Sequence, residues 1–226
     1  MTIRDASTVV LLRDGATGIE AWLLTRVGQM AFAAGMTVFP GGRVEESDAD
    51  LPWAGPPPVD AAPVGAAVRE TFEETGVLLG VPGLDLRTER ADVEAGRTSF
   101  GDLLRAHRRT VDASALHPWA RWVTPEGESR RYDTRFFVAA LPDGAEPADV
   151  TSEAVRAGWV SVADALAQHA RGDRLLMPPT LVTLRSVAAF PTVADVIAAA
   201  ATQSLEPVRP VLEGDHVRLP DGTRIG

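Results

Sequence analysis

Residues 66–77 read AAVRETFEETGV, and their spacing decides how the chain is organised. On a helix, Glu70, Glu73 and Glu74 fall at i, i+3 and i+4, so the three carboxylates share one face. Val68 and Phe72, also four apart, share another face that can pack on a sheet. Gly76 stands where a left-handed residue stops a helix, which sets the helix at residues 65–75. Three like charges on one face weaken an isolated helix by a few tenths of a kcal/mol per pair. A divalent hard cation removes that repulsion, because Mg²⁺ and Mn²⁺ prefer carboxylate oxygens and water. Arg69, four residues before Glu73, can hold one carboxylate in place. Taken alone, E-x-x-E-E is more simply a solvated acidic face, so its surroundings decide.

Upstream, residues 6–12 (ASTVVLL) and 19–25 (IEAWLLT) read as two strands, with Asp14-Gly15 and Thr17-Gly18 turning between them. A loop rich in Gly and Ala ends at Phe39-Pro40-Gly41-Gly42. Residues 50–63 hold a Pro cluster and read as irregular chain. Downstream, a helix is expected over 99–109 and strands over 119–123, 134–140 and 158–160. Ser161 caps a helix that ends near Arg171 and Gly172. Two more helices follow at 180–190 and 192–201, then a weakly alternating tail. The order fits an α/β (α+β) fold, a mixed sheet with a helical C-terminal lobe.

Composition bounds the reading. The chain has 226 residues, 22 basic and 31 acidic side chains, a formal charge of −9 and no Cys. All the basic residues are Arg. Length and a 45% hydrophobic content suit one domain with a real core. Without Cys there is no disulfide framework, thiolate site or thiol nucleophile. No stretch reaches the ~20 apolar residues of a membrane span, and the start reads as a strand instead of a signal peptide. A cytoplasmic protein that binds neither membrane nor nucleic acid is expected. An anionic ligand needs a local source of positive charge.

Arg69-Glu70-Thr71-Phe72-Glu73-Glu74-Thr75-Gly76-Val77 resembles the second half of the Nudix box, with Thr71 at a position the pattern gives to an apolar residue. Phe39-Pro40-Gly41-Gly42 supplies its Gly-rich entry. Gly42 and Arg69 are 27 residues apart, 13 more than the pattern, and the Pro-rich segment is the natural place for the excess. Such an insertion costs little, since loop closure grows only logarithmically with length. Counting forward puts the first acidic position of the box on Asp48; counting back puts it beside Asp60. The insertion, residues 36–42, Trp122-Val123-Thr124-Pro125 with residues 131–137, and Pro179-Thr180-Leu181 are similar to the branch that holds the peroxisomal acyl-coenzyme A diphosphatases. A sister branch of coenzyme A hydrolases is matched by Leu23-Leu24-Thr25, but Phe32 stands where that branch has an Arg.

The resemblance implies a Nudix-type α/β/α sandwich in a single domain over 1–226, with an insertion at about 50–63 and a helical extension and tail at about 172–226. It implies a hydrolase acting on phosphorus-containing anhydrides, a pyrophosphatase for a nucleoside diphosphate derivative, with coenzyme A or an acyl-coenzyme A as best substrate. Glu70, Glu73 and Glu74, with the Gly41 carbonyl, would bind Mg²⁺ or Mn²⁺. Glu70 would orient or deprotonate the water, Glu153 would add a later catalytic acid, and Arg69 would brace the glutamates. Gly41, Gly42 and Gly76 are structural in the motif. Arg130, Arg131 and Arg135 are where direct phosphate contacts are sought, with Arg131 and Arg135 foremost; an ion pair with Asp133 competes for them. Trp53, in the insertion, covers the substrate or anchors its loop. The apolar C-terminal helices offer a surface for a homodimer. NADH, ADP-ribose or dinucleoside polyphosphates are alternative substrates. A nucleotide sensor without turnover, and an interaction domain with a solvated acidic helix, are the other classes.

Overall fold

A computed structural model describes residues 2–26, 35–56, 60–148, 154–214 and 216–225. Strands β1 (Arg4–Gly15) and β2 (Gly18–Arg26) form an antiparallel hairpin, closed where Gly18 takes φ +125°. Two short strands follow, β3 (Thr37–Val38) and β4 (Gly41–Arg43), then a 3₁₀ turn at Glu46–Asp50 and helix α1 (Ala61–Thr75). Helices α2 (Arg90–Glu94) and α3 (Phe100–Ala106) lead to β5 (His117–Val123), β6 (Tyr132–Ala140) and β7 (Ala154–Ser161). The chain then forms α4 (Val162–Ala170), α5 (Pro178–Val187), α6 (Val193–Ala200) and three short strands, β8 (Val211–Glu213), β9 (His216–Arg218) and β10 (Arg224–Ile225).

The main sheet runs β3-β2-β1-β6-β5, with β4 also on β1 and β7 also on β2. β1 and β6 are parallel, and the other pairs are antiparallel. Alternation along β1 sorts the core into two layers. Val9 and Leu11 join Val68 and Phe72 of α1, with Phe100 and Leu104 of α3. Val10 and Leu12 join Val162 of α4, Leu181 and Leu184 of α5, and Val196 of α6. The result is a helix–sheet–helix sandwich, as the sequence led us to expect. The apolar faces of the C-terminal helices are thus buried on the sheet of their own chain.

Several boundaries differ from expectation. α1 begins four residues before Gly65, because Pro63 lies within the first turn, where its missing N–H costs nothing. The helix expected over 99–109 is shorter, at Phe100–Ala106, capped by the Ser99 hydroxyl accepting from the Asp102 amide. β7 is longer than residues 158–160, because it pairs along most of β2. The tail closes as a small three-stranded sheet. Gly76, at φ +74°, caps α1 and donates its N–H to the Phe72 carbonyl at 2.8 Å. Among the described residues no helix is long and apolar enough to cross a membrane.

Phe72 is fully buried, with its ring 5.4 Å from that of Phe100. Phe72→Ala is expected to destabilise the fold by about 3–5 kcal/mol. A urea midpoint left unchanged would show that α1 is not seated through this ring.

Candidate active site

The Gly-Gly turn and α1 meet at β1. Gly42 pairs with Ser7, and the Ser7 hydroxyl donates to the Pro63 carbonyl at 2.6 Å, tying the start of α1 to the strand. The glycines are dictated by close approach. A Cβ on Gly42 would run into the Glu70 carboxyl, one on Gly41 into the Ser7 carbonyl, and one on Gly65 into the Asp48 carbonyl.

Arg69 organises the acids around it. It is 5% exposed, and all five of its N–H donors have acceptors. Nε and Nη2 grip Asp48 at 2.8 and 2.9 Å, and Nη2 also donates to the Arg43 carbonyl at 2.8 Å. Nη1 donates to Glu70 at 2.9 Å and to Glu73 at 3.3 Å. Glu74 turns to the Gly-Gly entry and accepts the Gly41 N–H at 2.8 Å. The partner of Arg69 in the first half of the motif is therefore Asp48, the residue reached by counting forward from Gly42. Asp60 lies outside this cluster, 3.9 Å from Arg135. Asp48 is 1% exposed and also accepts the Glu45 amide at 2.8 Å.

Burial pushes the Glu70 carboxyl up to about 7, with Arg69 opposing and Glu73 adding to the rise. Burial raises Glu73 as well, again against Arg69. Burial works against the charge of Arg69, but the hydrogen bonds to Asp48 and the charge of Glu70 outweigh it and hold the guanidinium protonated. Thr71, which departs from the motif's apolar position, is fully buried and donates its hydroxyl to the Ala67 carbonyl at 2.7 Å. Its polar atom is satisfied within the helix, so the core accepts it.

The structure does not bring every expected residue to this cluster. Arg135 Nη1 is 2.8 Å from Asp5 and 3.8 Å from Asp133. Arg131 Nε donates to the Thr124 carbonyl at 3.1 Å, beside a cleft of about 270 Å³ lined by Arg209 and Leu212. Asp133 is instead taken bidentately by Arg121, at 2.8 and 2.6 Å. Arg130 is exposed. Trp53 anchors its loop: its indole donates to the Ala49 carbonyl at 3.2 Å, and the segment bridges to Val111. Glu153 and Phe32 lie outside the described residues. Among those described, no three His, Asp or Glu side chains converge as a ready-made cation site. One contributor had no sequence signal. Arg90, beyond the motif, donates to the Glu73 carbonyl and pairs with Glu94 at 2.9 Å, closing an otherwise open carbonyl near the end of α1.

The fold and this Arg-braced carboxylate helix define a Nudix-type protein. A family described as the NUDT19 Nudix domain matches residues 56–187, more than half of the chain, and the chain belongs to that family. It is 28% identical to the human acyl-coenzyme A diphosphatase NUDT19 over 80% of its own length and 63% of the relative's. It is 26% identical to the chicken protein of the same name, over 90% of its length and 72% of the relative's. The chain thus spans less than two thirds of the human relative. A crystal structure of a Nudix hydrolase from Alicyclobacillus acidocaldarius superposes with a TM-score of 0.79 at 32% identity, covering 92% of this chain and 99% of that one.

Two outcomes follow from the geometry. Asp48→Ala leaves a buried guanidinium half-partnered and is expected to cost about 3–5 kcal/mol, read by chemical denaturation. Glu70 has a folded pKa above the ordinary value of 4.5, so the unfolded chain gives up its proton first as pH rises. The metal-free protein therefore loses stability relative to Glu70→Gln between pH 4.5 and about 7, and the difference levels off above. Parallel stability curves for the two proteins across that window would contradict the burial of Glu70.

Proposed function

We propose that this chain is a metal-dependent diphosphatase that hydrolyses the diphosphate linkage of a nucleoside diphosphate derivative, with coenzyme A or an acyl-coenzyme A as its substrate. The observation that carries the reading is the Arg69 cluster. One buried guanidinium divides its donors between a structural acid, Asp48, and two acids on the helix face, Glu70 and Glu73. The human and chicken relatives, both acyl-coenzyme A diphosphatases, support the choice of substrate.

The residues fit a hard divalent cation. Glu70 and Glu73 are carboxylates whose charged forms are disfavoured by burial and by neighbouring acids, and one Arg does not offset them. Mg²⁺ or Mn²⁺ would be held by Glu70, Glu73 and Glu74, with the Gly41 carbonyl as a further oxygen. Such an ion supplies neutralisation of the diphosphate charge and a more acidic water. Arg69 fixes Glu70 through Oε1; we assign Oε2 as the atom that orients the attacking water or accepts its proton. Arg69 touches no substrate in this reading; it holds two acids at fixed positions on one helix face.

The test is product analysis with Mg²⁺ or Mn²⁺ and coenzyme A, an acyl-coenzyme A, NADH, ADP-ribose and a dinucleoside polyphosphate. We expect a 4′-phosphopantetheine product from the coenzyme A arm, and activity confined to NADH or ADP-ribose would reassign the substrate. Glu73→Gln is expected to lower kcat by about 10²–10⁴-fold, the scale of a lost catalytic carboxylate, with unchanged circular dichroism. Divalent metal should stabilise the folded wild type, by about 2.7 kcal/mol at a hundredfold excess over Kd. A Tm indifferent to metal, together with no turnover on any substrate, would leave a solvated acidic helix as the better description.

A further inference from the structure

Arginine is the only source of fixed positive charge besides the termini, and among the described residues most buried or half-buried guanidiniums face a carboxylate. Arg69, Arg90, Arg121 and Arg135 each do so. Arg174 does not. It is half-buried, and its Nε and Nη1 go to neutral oxygens, Gln168 Oε1 at 2.8 Å and Thr37 Oγ1 at 3.3 Å. Its sequence neighbour Asp173 is engaged by Arg171 at 2.8 Å. Among the described residues Arg174 meets no carboxylate.

A second cation lies beside it. In the sheet, Thr25 is directly opposite Thr37 on one side and Arg156 on the other. Residues opposite one another share a face, so Thr37, Thr25 and Arg156 form one row. Leu23, two residues earlier on β2, is buried with α4 and α5, so the row faces that layer. The two hydroxyls are 3.3 Å apart. Arg156 is exposed, also pairs with no carboxylate among the described residues, and is close enough to oppose the charge on Arg174, which burial already disfavours. Two guanidiniums and two hydroxyls thus converge, with no acid among the described residues to neutralise them, in a chain of net charge −9.

We propose that Arg174 and Arg156, with the half-buried Thr25 hydroxyl, form a binding site for a phosphate monoester, separate from the carboxylate cluster on α1, the buried Thr37 hydroxyl serving to hold the Arg174 fork in place. Guanidinium forks and a hydroxyl suit a dianionic phosphate, which accepts several charge-assisted bonds at once. Thr37 lies four residues before Gly41, so the chain limits their Cα separation to about 14 Å. The row lies on the α4–α5 face of the sheet and α1 on the other, so a nucleotide whose diphosphate lies at Glu70, Glu73 and Glu74 brings a second phosphate to the site only by passing around the Thr37–Gly41 segment. Coenzyme A carries such a monoester and NADH does not. Free inorganic phosphate is the other source of the same chemistry. The link to substrate rests on the diphosphatase reading; the site itself does not.

The test uses Arg174→Gln and Arg156→Gln in the whole chain, the second being an exposed residue whose loss leaves the fold intact. Inorganic phosphate and adenosine 3′,5′-bisphosphate are titrated by calorimetry without metal. Each variant is expected to raise Kd about tenfold, the loss of one charge-assisted contact. Equal binding by wild type and Arg156→Gln, or no binding by wild type, would overturn the site. The second arm compares kcat/KM for coenzyme A and 3′-dephospho-coenzyme A. A wild-type preference for coenzyme A that falls about tenfold in the variants assigns the monoester to the substrate. Weakened phosphate binding with an unmoved preference assigns it to free phosphate. A protein that binds the bisphosphate but turns over neither substrate would refute the diphosphatase reading while upholding the site.

Discussion

The Arg69 guanidinium is the point on which the rest of the site depends. A buried, permanently charged group is tolerable only when its donors are met, and here five donors find three carboxylates and one backbone carbonyl. Those acceptors come from different parts of the chain. Asp48 belongs to the 3₁₀ turn, Arg43 ends β4, and Glu70 and Glu73 lie on α1. Satisfying one residue therefore fixes the Gly-Gly turn, the turn after it and the helix relative to one another. The same contacts leave Glu70 and Glu73 close together and short of positive charge. Strength in the frame and electrostatic tension in the face have a common cause.

The glycines complete this logic. Gly65 lets α1 lie against the Asp48 carbonyl, Gly41 lets its strand lie against Ser7, and Gly42 makes room for the Glu70 carboxyl. Each glycine removes a side chain at a point where Asp48, Ser7 or Glu70 must sit. Thr71 solves a related problem in the opposite way. It keeps a polar atom in the core and satisfies it four residues back in the same helix.

What was legible in the sequence follows from range. The three-carboxylate face, the Val68 and Phe72 packing face and the Gly76 cap are local, set by helical periodicity within about fifteen residues, and the structure has them where the spacing puts them. The two buried layers were implied by the apolar run in β1. Asp48 was only half legible. An insertion separates it from Arg69, so two counts gave two acids, and only three-dimensional proximity decides between them. Arg135, Arg121 and Asp133 show the limit more sharply. A cluster of arginines beside an aspartate reads equally as a phosphate site or as ion pairs, and cross-strand register, with Arg121 opposite Arg135 and next to Asp133, determines which of them meet. Arg90 carried no signal because a contact to a backbone carbonyl needs no particular residue at the other end.

Charge distribution links the frame to the function. A chain with nine more acids than bases must either repel a diphosphate or carry local sites that do not. Pairing makes the difference. Where arginine meets aspartate or glutamate, as at Arg121 with Asp133 and Arg87 with Asp85, the field of both is largely cancelled and little remains for a ligand. Where arginine is held by neutral oxygens, as at Arg174 with Gln168 and Thr37, its charge stays available. Conversely, the carboxylates of α1 are only partly answered by Arg69, and their residual negative charge suits a cation. The two kinds of imbalance lie four residues apart in sequence, at Thr37 and Gly41, and have opposite sign. A ligand carrying both a metal-bound diphosphate and a bare phosphate would meet each with its complement, which a uniformly acidic or uniformly basic surface could not provide.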